Sequence, residues 1–599
     1  MAESYYLLAA TFIPLLVAPI AYFIGRKAGV GPATWFSFGA LAISTGLLFI
    51  PAIGIYNGQQ TAYVEKYAWG PFGDFGLRLD GLSLPFALII YILCTVIALY
   101  SRPYMVHKVM EDLPGHGSSG SGVEGGGGGG AGEGGMGVHG SNHSSQGSHS
   151  LSGTNIDSGS QTTVLDTRQY VKNQTGLYFA LYLAFSMGML GTVLATNLIE
   201  FYVFFEIMLV PSFFLIAFYG YGARRRIALM FFFWTHVGAV VLLLGLLAMG
   251  FFAGGFDYDT VKANASNIPA QWLPLIVFAL VIGLGVKLAA FLLHIWLPYA
   301  HAEAPTPVSA LLSPAMIGIG AYGLLRLWME LLTGSYEQYS LYIGLWGLAT
   351  MIYGGAMALM QDDVKKVLAY SSISQMGYIL FGLGSESVLG ISGGTMMYVT
   401  HGLGKAILFM MAGSIILQTG TRSMSKLGGL AGKMPYTAVL AMIGGLTIIG
   451  IPPTSGFMAE WVLFNGTLQT AVTQMDLLRI VMFALGILAT VLSSAYILWM
   501  YKRVFFGKLP KELEHVKDSN RYILATMGVL AALTLVIGVY PDLFLNPIIN
   551  YISVMFEGQP GVVPVPVSHA NADPGGKAEN IQQNQVQGQI EGAAVAEVH

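Results

Sequence analysis

Gly283-Leu-Gly-Val-Lys287-Leu-Ala-Ala-Phe-Leu-Leu-His294-Ile-Trp-Leu-Pro298-Tyr-Ala-His301-Ala-Glu-Ala-Pro305-Thr-Pro307 decides how the chain is read. It is apolar enough to cross a bilayer, yet it carries a lysine, two histidines and three prolines. An ionisable residue inside a membrane helix costs about 2.5–3.5 kcal/mol on insertion scales, so its presence points to function. The whole chain supports the membrane reading. Of 599 residues, 54% are hydrophobic and only 10% charged, against about 25% charged in soluble proteins. A large soluble enzyme is excluded. A net charge of −3 without a basic block argues against nucleic acid as a partner. The single cysteine, Cys94, cannot form an internal disulfide, an iron–sulfur cluster or a cysteine-rich zinc site, and reads as a small buried hydrophobe.

Hydropathy outward from this stretch predicts an all-α polytopic membrane protein with fourteen spans, starting near Tyr5, Ala33, Leu82, Gly176, Leu198, Ile227, Trp272, Leu312, Ser340, Lys365, Val388, Pro435, Leu478 and Arg521. The first reads as a retained helix rather than a removed signal peptide. Loops after the odd-numbered spans hold 20 of the 28 Lys and Arg, and those on the other side hold 5. Basic residues collect in cytoplasmic loops, so both termini are expected outside the cytoplasm. The remaining three, Lys287, Arg326 and Lys405, lie within spans. Arg326, near the outer end of span 8, is expected to snorkel to the interface.

The expected organisation is spans 1–3 over 1–105, a disordered Gly/Ser/His-rich cytoplasmic loop over 106–174, and two five-span units over 175–334 and 335–505. A cytoplasmic loop and last span follow over 506–556, then a disordered tail over 557–599. The loop histidines His116, His139, His143 and His149 are irregularly spaced and read as an incidental polar linker.

Four places carry intramembrane chemistry. Glu206 lies about 9 Å along span 5 from Glu200, which is expected at the interface. Lys287 and His294, seven residues apart, would share one helical face. Burial disfavours a charged ammonium and a facing carboxylate favours it, so the proton on Lys287 would depend on its distance from Glu206. His401 and Lys405, at i and i+4, share a face. Glu460 follows Gly450-Ile-Pro452-Pro453. Prolines next to charges are expected to break span 7 at Pro298, Pro305 and Pro307 and span 12 at Pro452 and Pro453, an ion-site pattern of transporters. The breaks lie five spans apart, so spans 7 and 12 run oppositely, as two inverted five-helix repeats (spans 4–8 and 9–13) require. His236, Ser371, Ser372, Ser374 and Gln375 could extend the polar row, although helix packing is the plainer reading of each.

On Phe204-Phe-Glu206-Ile-Met-Leu-Val-Pro211, His294 to Ser313, Asp362-Asp-Val-Lys365-Lys through Ser371 to Gln375, and Gly450-Ile-Pro-Pro, the chain resembles the antiporter-like subunits of respiratory complex I. Among these it is most similar to the M-type chains of proton-pumping NADH–quinone oxidoreductases and reduced-deazaflavin dehydrogenases. The resemblance covers roughly 1–105 and 175–555. It implies proton translocation by Glu206, Lys287, Lys405 and Glu460, with His294 and His401 as relay candidates. It also implies a prokaryotic plasma membrane, partners in other membrane subunits and a redox arm, and no cofactor in this chain. Where relatives often carry a span-8 lysine this chain has Gly318, and the Gly-rich loop has no expected counterpart. The sequence has no flavin fingerprint, clustered cysteines or paired haem ligands, so electron transfer is expected elsewhere. Two rival readings share the fold, a multisubunit cation/proton antiporter and a membrane subunit of an energy-converting hydrogenase. Glu460 favours the M-type reading over the antiporter, because antiporter and L-type relatives commonly carry lysine in that span.

Overall fold

A backbone in hydrocarbon must satisfy its own N–H and C=O groups, and the chain does so with helices. The computed structural model describes residues 5–70, 73–111, 158–559 and 561–565, with side chains only from 168 in the fourth-span helix. Eleven described helices are long and apolar enough to cross a membrane. Their surroundings sort them. Thr306–Glu330 (span 8) is wholly buried in its most apolar window and Val388–Thr419 (span 11) is 94% buried, so these two form the centre. Tyr6–Ala28, Val30–Tyr56, Arg224–Ala253 and Leu477–Phe505 are each only 33% buried and form the apolar outer surface. The expected spans 7, 10 and 12 fall outside the eleven. Span 10 is the more polar helix Val364–Leu383, and the other two are broken, into Leu273–Leu288 with Trp296–Glu303, and Pro435–Ile449 with Ser455–Thr473.

The prolines mark the later break of span 7, at Pro305, but not the earlier one. Leu273–Leu288 ends at Ala289 (φ 55°), and Leu292 also has positive φ (73°). Pro298 lies in the first turn of Trp296–Glu303, where a missing N–H costs nothing, so it opens the second half instead of breaking the first. Pro305 separates that half from span 8. Three indoles hold the freed carbonyls: Trp296 Nε1 donates to Val286 O, Trp234 Nε1 to Leu293 O and Trp346 Nε1 to Phe291 O, each at 2.9 Å. The Phe291 N–H donates to Thr350 Oγ1 (3.2 Å). The span-12 break does fall at the expected prolines, between Gly450 (φ 77°) and Thr454.

The two five-span stretches carry the same local device at a constant spacing. Isolated bridges join Asn197 to Asp257 and Asp363 to Ser423, a separation of 166 residues at both ends. Leu198 N donates to Phe256 O as Val364 N does to Arg422 O, again 166 residues on. Asn197 and Asp363 each cap the helix that follows.

Several further features depart from expectation. An antiparallel hairpin, Ala62–Ala68 with Asp74–Asp80, lies between spans 2 and 3. A helix, Asp542–Met555, follows span 14, burying Phe544, Leu545, Ile548, Ile552 and Met555. The expected disordered loop over 106–174 is helical at both ends, because Ser83–Glu111 and Ser158–Leu194 run into it. Polar side chains extend the latter by gripping the end of span 1: Lys172 Nζ donates to Lys27 O (3.3 Å) and Gln169 Nε2 to Arg26 O (3.4 Å). His116, His139, His143 and His149 lie outside the described residues. Of the expected disordered tail, Val563 is tied to the body by backbone bonds with Glu386 O (2.8 Å) and Val388 N (3.1 Å).

Arg326 does not snorkel. It is 2% exposed and gives Nη2 to both oxygens of Asp80 (2.8 and 2.9 Å) and Nη1 to Glu330 (2.6 Å) and the Tyr551 hydroxyl (2.5 Å). Its Nε donates to the Tyr322 hydroxyl (3.0 Å). Arg78 adds bonds to Asp80 (2.8 Å) and Tyr551 (2.8 Å). Snorkelling loses because two buried carboxylates, Asp80 from the hairpin and Glu330 one turn along the same helix, converge on the guanidinium, and their geometry offsets the cost of taking it out of water. The cluster ties hairpin, span 8 and the Asp542–Met555 helix together.

Candidate functional site

Of the predicted ionisable residues, Lys287, His294, His401, Lys405 and Glu460 are buried and Glu206 is partly exposed, and several of them have few partners. In the described residues Lys287 Nζ, His294 Nδ1, Glu206 Oε1, Glu460 Oε1 and both ring nitrogens of His301 and of His401 are buried without a hydrogen-bond partner. The Arg326 cluster, by contrast, saturates its guanidinium. A saturated cluster is held in place, whereas a buried group with a spare valence can take or give a proton.

Glu206 sits on Leu198–Tyr219 with its side chain 20% exposed, and Oε2 meets His236 Nδ1 at 3.1 Å. His236 stacks on Phe232 (5.5 Å between centroids). Lys287, one residue before the end of Leu273–Leu288, is 2% exposed. It forms no ion pair with Glu206; its ammonium lies over the Phe205 ring, 4.9 Å from the centroid. Lys287 therefore packs on Phe205, the residue before Glu206 on span 5, without pairing with the carboxylate. Glu200, expected at the interface, is 1% exposed, and its Oε2 accepts from Gly76 N and Thr196 N (both 3.2 Å). Hairpin and loop backbone groups that need an acceptor draw it inward.

His294 does not share a helical face with Lys287, because the helix stops at Leu288 and His294 lies in the break. Its Nε2 meets the Tyr353 hydroxyl at 3.1 Å. His301, in the following short helix, packs on Phe409 (5.4 Å). The end of that helix is held by two cations, Lys365 at the start of span 10 and Arg422 in the loop after span 11. Lys365, fully buried, donates to Ala302 O (3.2 Å) and Ala304 O (2.5 Å). Arg422 donates to Ala302 O (2.7 Å) and pairs with Glu303 (3.2 Å) and Asp363 (2.7 Å). Cations at a helix C-terminus complement its partial negative charge.

His401 and Lys405 do share a face of Val388–Thr419, both fully buried. Lys405 donates to Ser371 Oγ and to Leu368 O (3.2 Å). Glu460 lies against the span-12 break: a Cβ added at Gly450 would sit 2.5 Å from Glu460 Oε2. Gly318 has a physical reason for being glycine. A Cβ there would lie 2.1 Å from the Tyr398 ring, which stacks on Phe86 (4.3 Å) and donates its hydroxyl to Ala315 O (3.2 Å). Span 11 fills the space a span-8 side chain would need. Between spans 9 and 10 Asp362 accepts from Ser423, Ser425 and Arg503. Against the upward push of burial, these bonds hold its carboxyl below the ordinary value.

A family model described as "NADH:quinone oxidoreductase/Mrp antiporter, TM" matches residues 195–493. A second, "NADH-Ubiquinone oxidoreductase (complex I), chain 5 N-terminus", matches 69–111. The chain is 35% identical over 382 residues to F(420)H(2) dehydrogenase subunit M of Methanosarcina mazei, covering 62% of this chain and 75% of that one. It is 33% identical over 385 residues to NADH-quinone oxidoreductase subunit M of Rickettsia typhi, covering 64% and 76%. The fold is like a chain of respiratory complex I from Thermus thermophilus (TM-score 0.71, 22% identity, 92% of this chain and 100% of that one). It is equally like a chain of the Mrp complex from Dietzia sp. (TM-score 0.72, 19% identity, 93% and 98%). The chain belongs to the family of multi-pass, antiporter-like membrane subunits shared by complex I-type oxidoreductases and Mrp antiporters.

Proposed function

We propose that this chain is the proton-translocating membrane subunit of a respiratory NADH– or reduced-deazaflavin–quinone oxidoreductase, with electron transfer in other subunits. The observation that carries the reading is the row of buried ionisable side chains with spare hydrogen-bonding capacity, at two mid-membrane helix breaks, in a chain whose sequence relatives are subunits M of such complexes. Movement of Glu206 and His236 relative to Lys287 alters how firmly the ammonium holds its proton, and the proton passes by Lys405 to Glu460 and the outer side. His294 and His401 are the relay candidates. The separation of 166 residues between the paired bridges supports two inverted repeats, 175–334 and 335–505. The excess of basic residues in the odd-numbered loops supports termini outside the cytoplasm, in a prokaryotic plasma membrane.

Partner subunits follow from exposure. His236 is 41% exposed on a face that also exposes Val203, Val210, Phe233 and Val237. A titratable pair facing hydrocarbon is costly, so this face is read as covered by a neighbouring membrane subunit. Inverted vesicles holding the assembled complex test the class of reaction. Donor oxidation that acidifies the lumen, without dependence on Na⁺, is expected. Lumen acidification driven only by a Na⁺ gradient, with no response to any donor, would make the chain an antiporter subunit instead.

A further inference from the structure

Lys405 and Glu460 sit on different helices, and span 10 packs against both of them. Its residues Ser371, Ser374, Gln375 and Tyr378 fall at i, i+3, i+4 and i+7, so they line one face over about 10 Å. All four are buried. At one end Ser371 Oγ accepts from Lys405 Nζ. Gln375 and Ser374 lie in hydrogen-bonding reach of the Tyr496 hydroxyl on span 13. That hydroxyl donates to Ser493 Oγ (3.3 Å), and Ser493 Oγ meets the Tyr378 hydroxyl at 3.0 Å. Tyr378 packs on Phe464, with centroids 6.3 Å apart, and Phe464 is one turn beyond Glu460 on the same helix face. Glu460 Oε1 is buried without a partner.

We propose that Tyr496, Ser493 and Tyr378 form a hydroxyl relay carrying the proton from the Lys405–Ser371 contact into Glu460. This deepens the proposed function and rests on it. One N–H bond of the Lys405 ammonium breaks and one O–H bond forms on Glu460. Each hydroxyl between them accepts one proton while giving up another, so the relay ends unchanged after its hydroxyls rotate back. Serine and tyrosine suit the task because each both donates and accepts, and neither has to ionise. Gln375 is a positioning residue: its Nε2 also donates to Ile448 O (3.3 Å), beside the span-12 break, which fixes the amide next to Tyr496.

The test uses assembled complex in inverted vesicles, with lumen acidification and donor oxidation recorded together for Y378F, Y496F, S493A, S493T and E460Q. Phenylalanine and alanine keep most of the packing and remove the hydroxyl. Protons moved per donor oxidised should fall about tenfold or more in Y378F and S493A. S493T should restore what S493A loses, an effect that packing alone would not give, since threonine differs from serine by an added methyl. E460Q separates the two levels of the argument. Full pumping in Y378F, Y496F and S493A with none in E460Q would overturn the relay and leave the proposed function standing. Full pumping in E460Q as well would overturn the route through Glu460, and the relay with it.

Discussion

Replacing Arg326 with methionine should cost more stability than any change on the outer apolar surface. The guanidinium makes five hydrogen bonds, to Asp80, Glu330, Tyr551 and Tyr322, and its principal carboxylate partner Asp80 is fully buried. Removing one partner of a buried pair costs about 3–5 kcal/mol, because the other charge is left buried and unpaired. Arg78 remains on Asp80 at 2.8 Å and on Glu330 at 3.4 Å, which places the effect near the lower end. About 3 kcal/mol is roughly a hundredfold in the folded ratio. The double variant R326M/D80N leaves Glu330 paired with Arg78 and no carboxylate of the cluster without a cation, and should recover most of that loss. SDS titration of the purified complex, with pulse proteolysis of this chain, reads both. Equal stability of R326M and wild type, or a double variant no better than R326M, would refute the clamp.

Other consequences are equally direct. Burial would raise the Asp80 carboxyl, but Arg326 and then Arg78 hold it well below the ordinary carboxylate value. Stability from a lowered acid is present above its unfolded pKa, about 3.9, and is lost only as pH falls through the lower folded value. Protease resistance of the hairpin should therefore not change between pH 7 and 5, and a loss there would contradict the ionised clamp. W346F removes the donor to the Phe291 carbonyl at the span-7 break and should cost about 1–3 kcal/mol in the same SDS titration, more than W461F, whose indole is 57% exposed. G318A should lower the yield of folded chain on a native gel, and Y398A added to it should restore part of that yield by vacating the clashing space.

Much of the fold could be read from composition and hydropathy, because a bilayer leaves a chain few alternatives. The apolar runs located the helices, and the ionisable residues within them marked the row. What escaped reading was non-local. Proline marked the break at Gly450, where cap and prolines coincide, and missed the one at Ala289, which depends on indoles from three other places in the chain. The hairpin Ala62–Asp80 is short and lies between longer signals. Arg326 read as an interfacial arginine because its partners Asp80 and Tyr551 are 246 and 225 residues away. Lys365, read only as the start of span 10, is buried because carbonyls at the end of another helix face it. Tyr378, Ser493 and Tyr496 carry no motif at all; only packing brings span 13 against span 10. In Lys287 and Glu206 the residue types were legible, but the packing of Lys287 on the Phe205 ring and of Glu206 against His236 was not.

The most direct test of proton translocation by this row is the ratio of lumen acidification to donor oxidation in inverted vesicles, for wild type, K287A and E206Q, with assembly followed on a native gel. The account predicts assembled complexes that still oxidise donor and transport few or no protons through this subunit, so the ratio falls in both variants. A ratio equal to wild type in both, from fully assembled complexes, would contradict it.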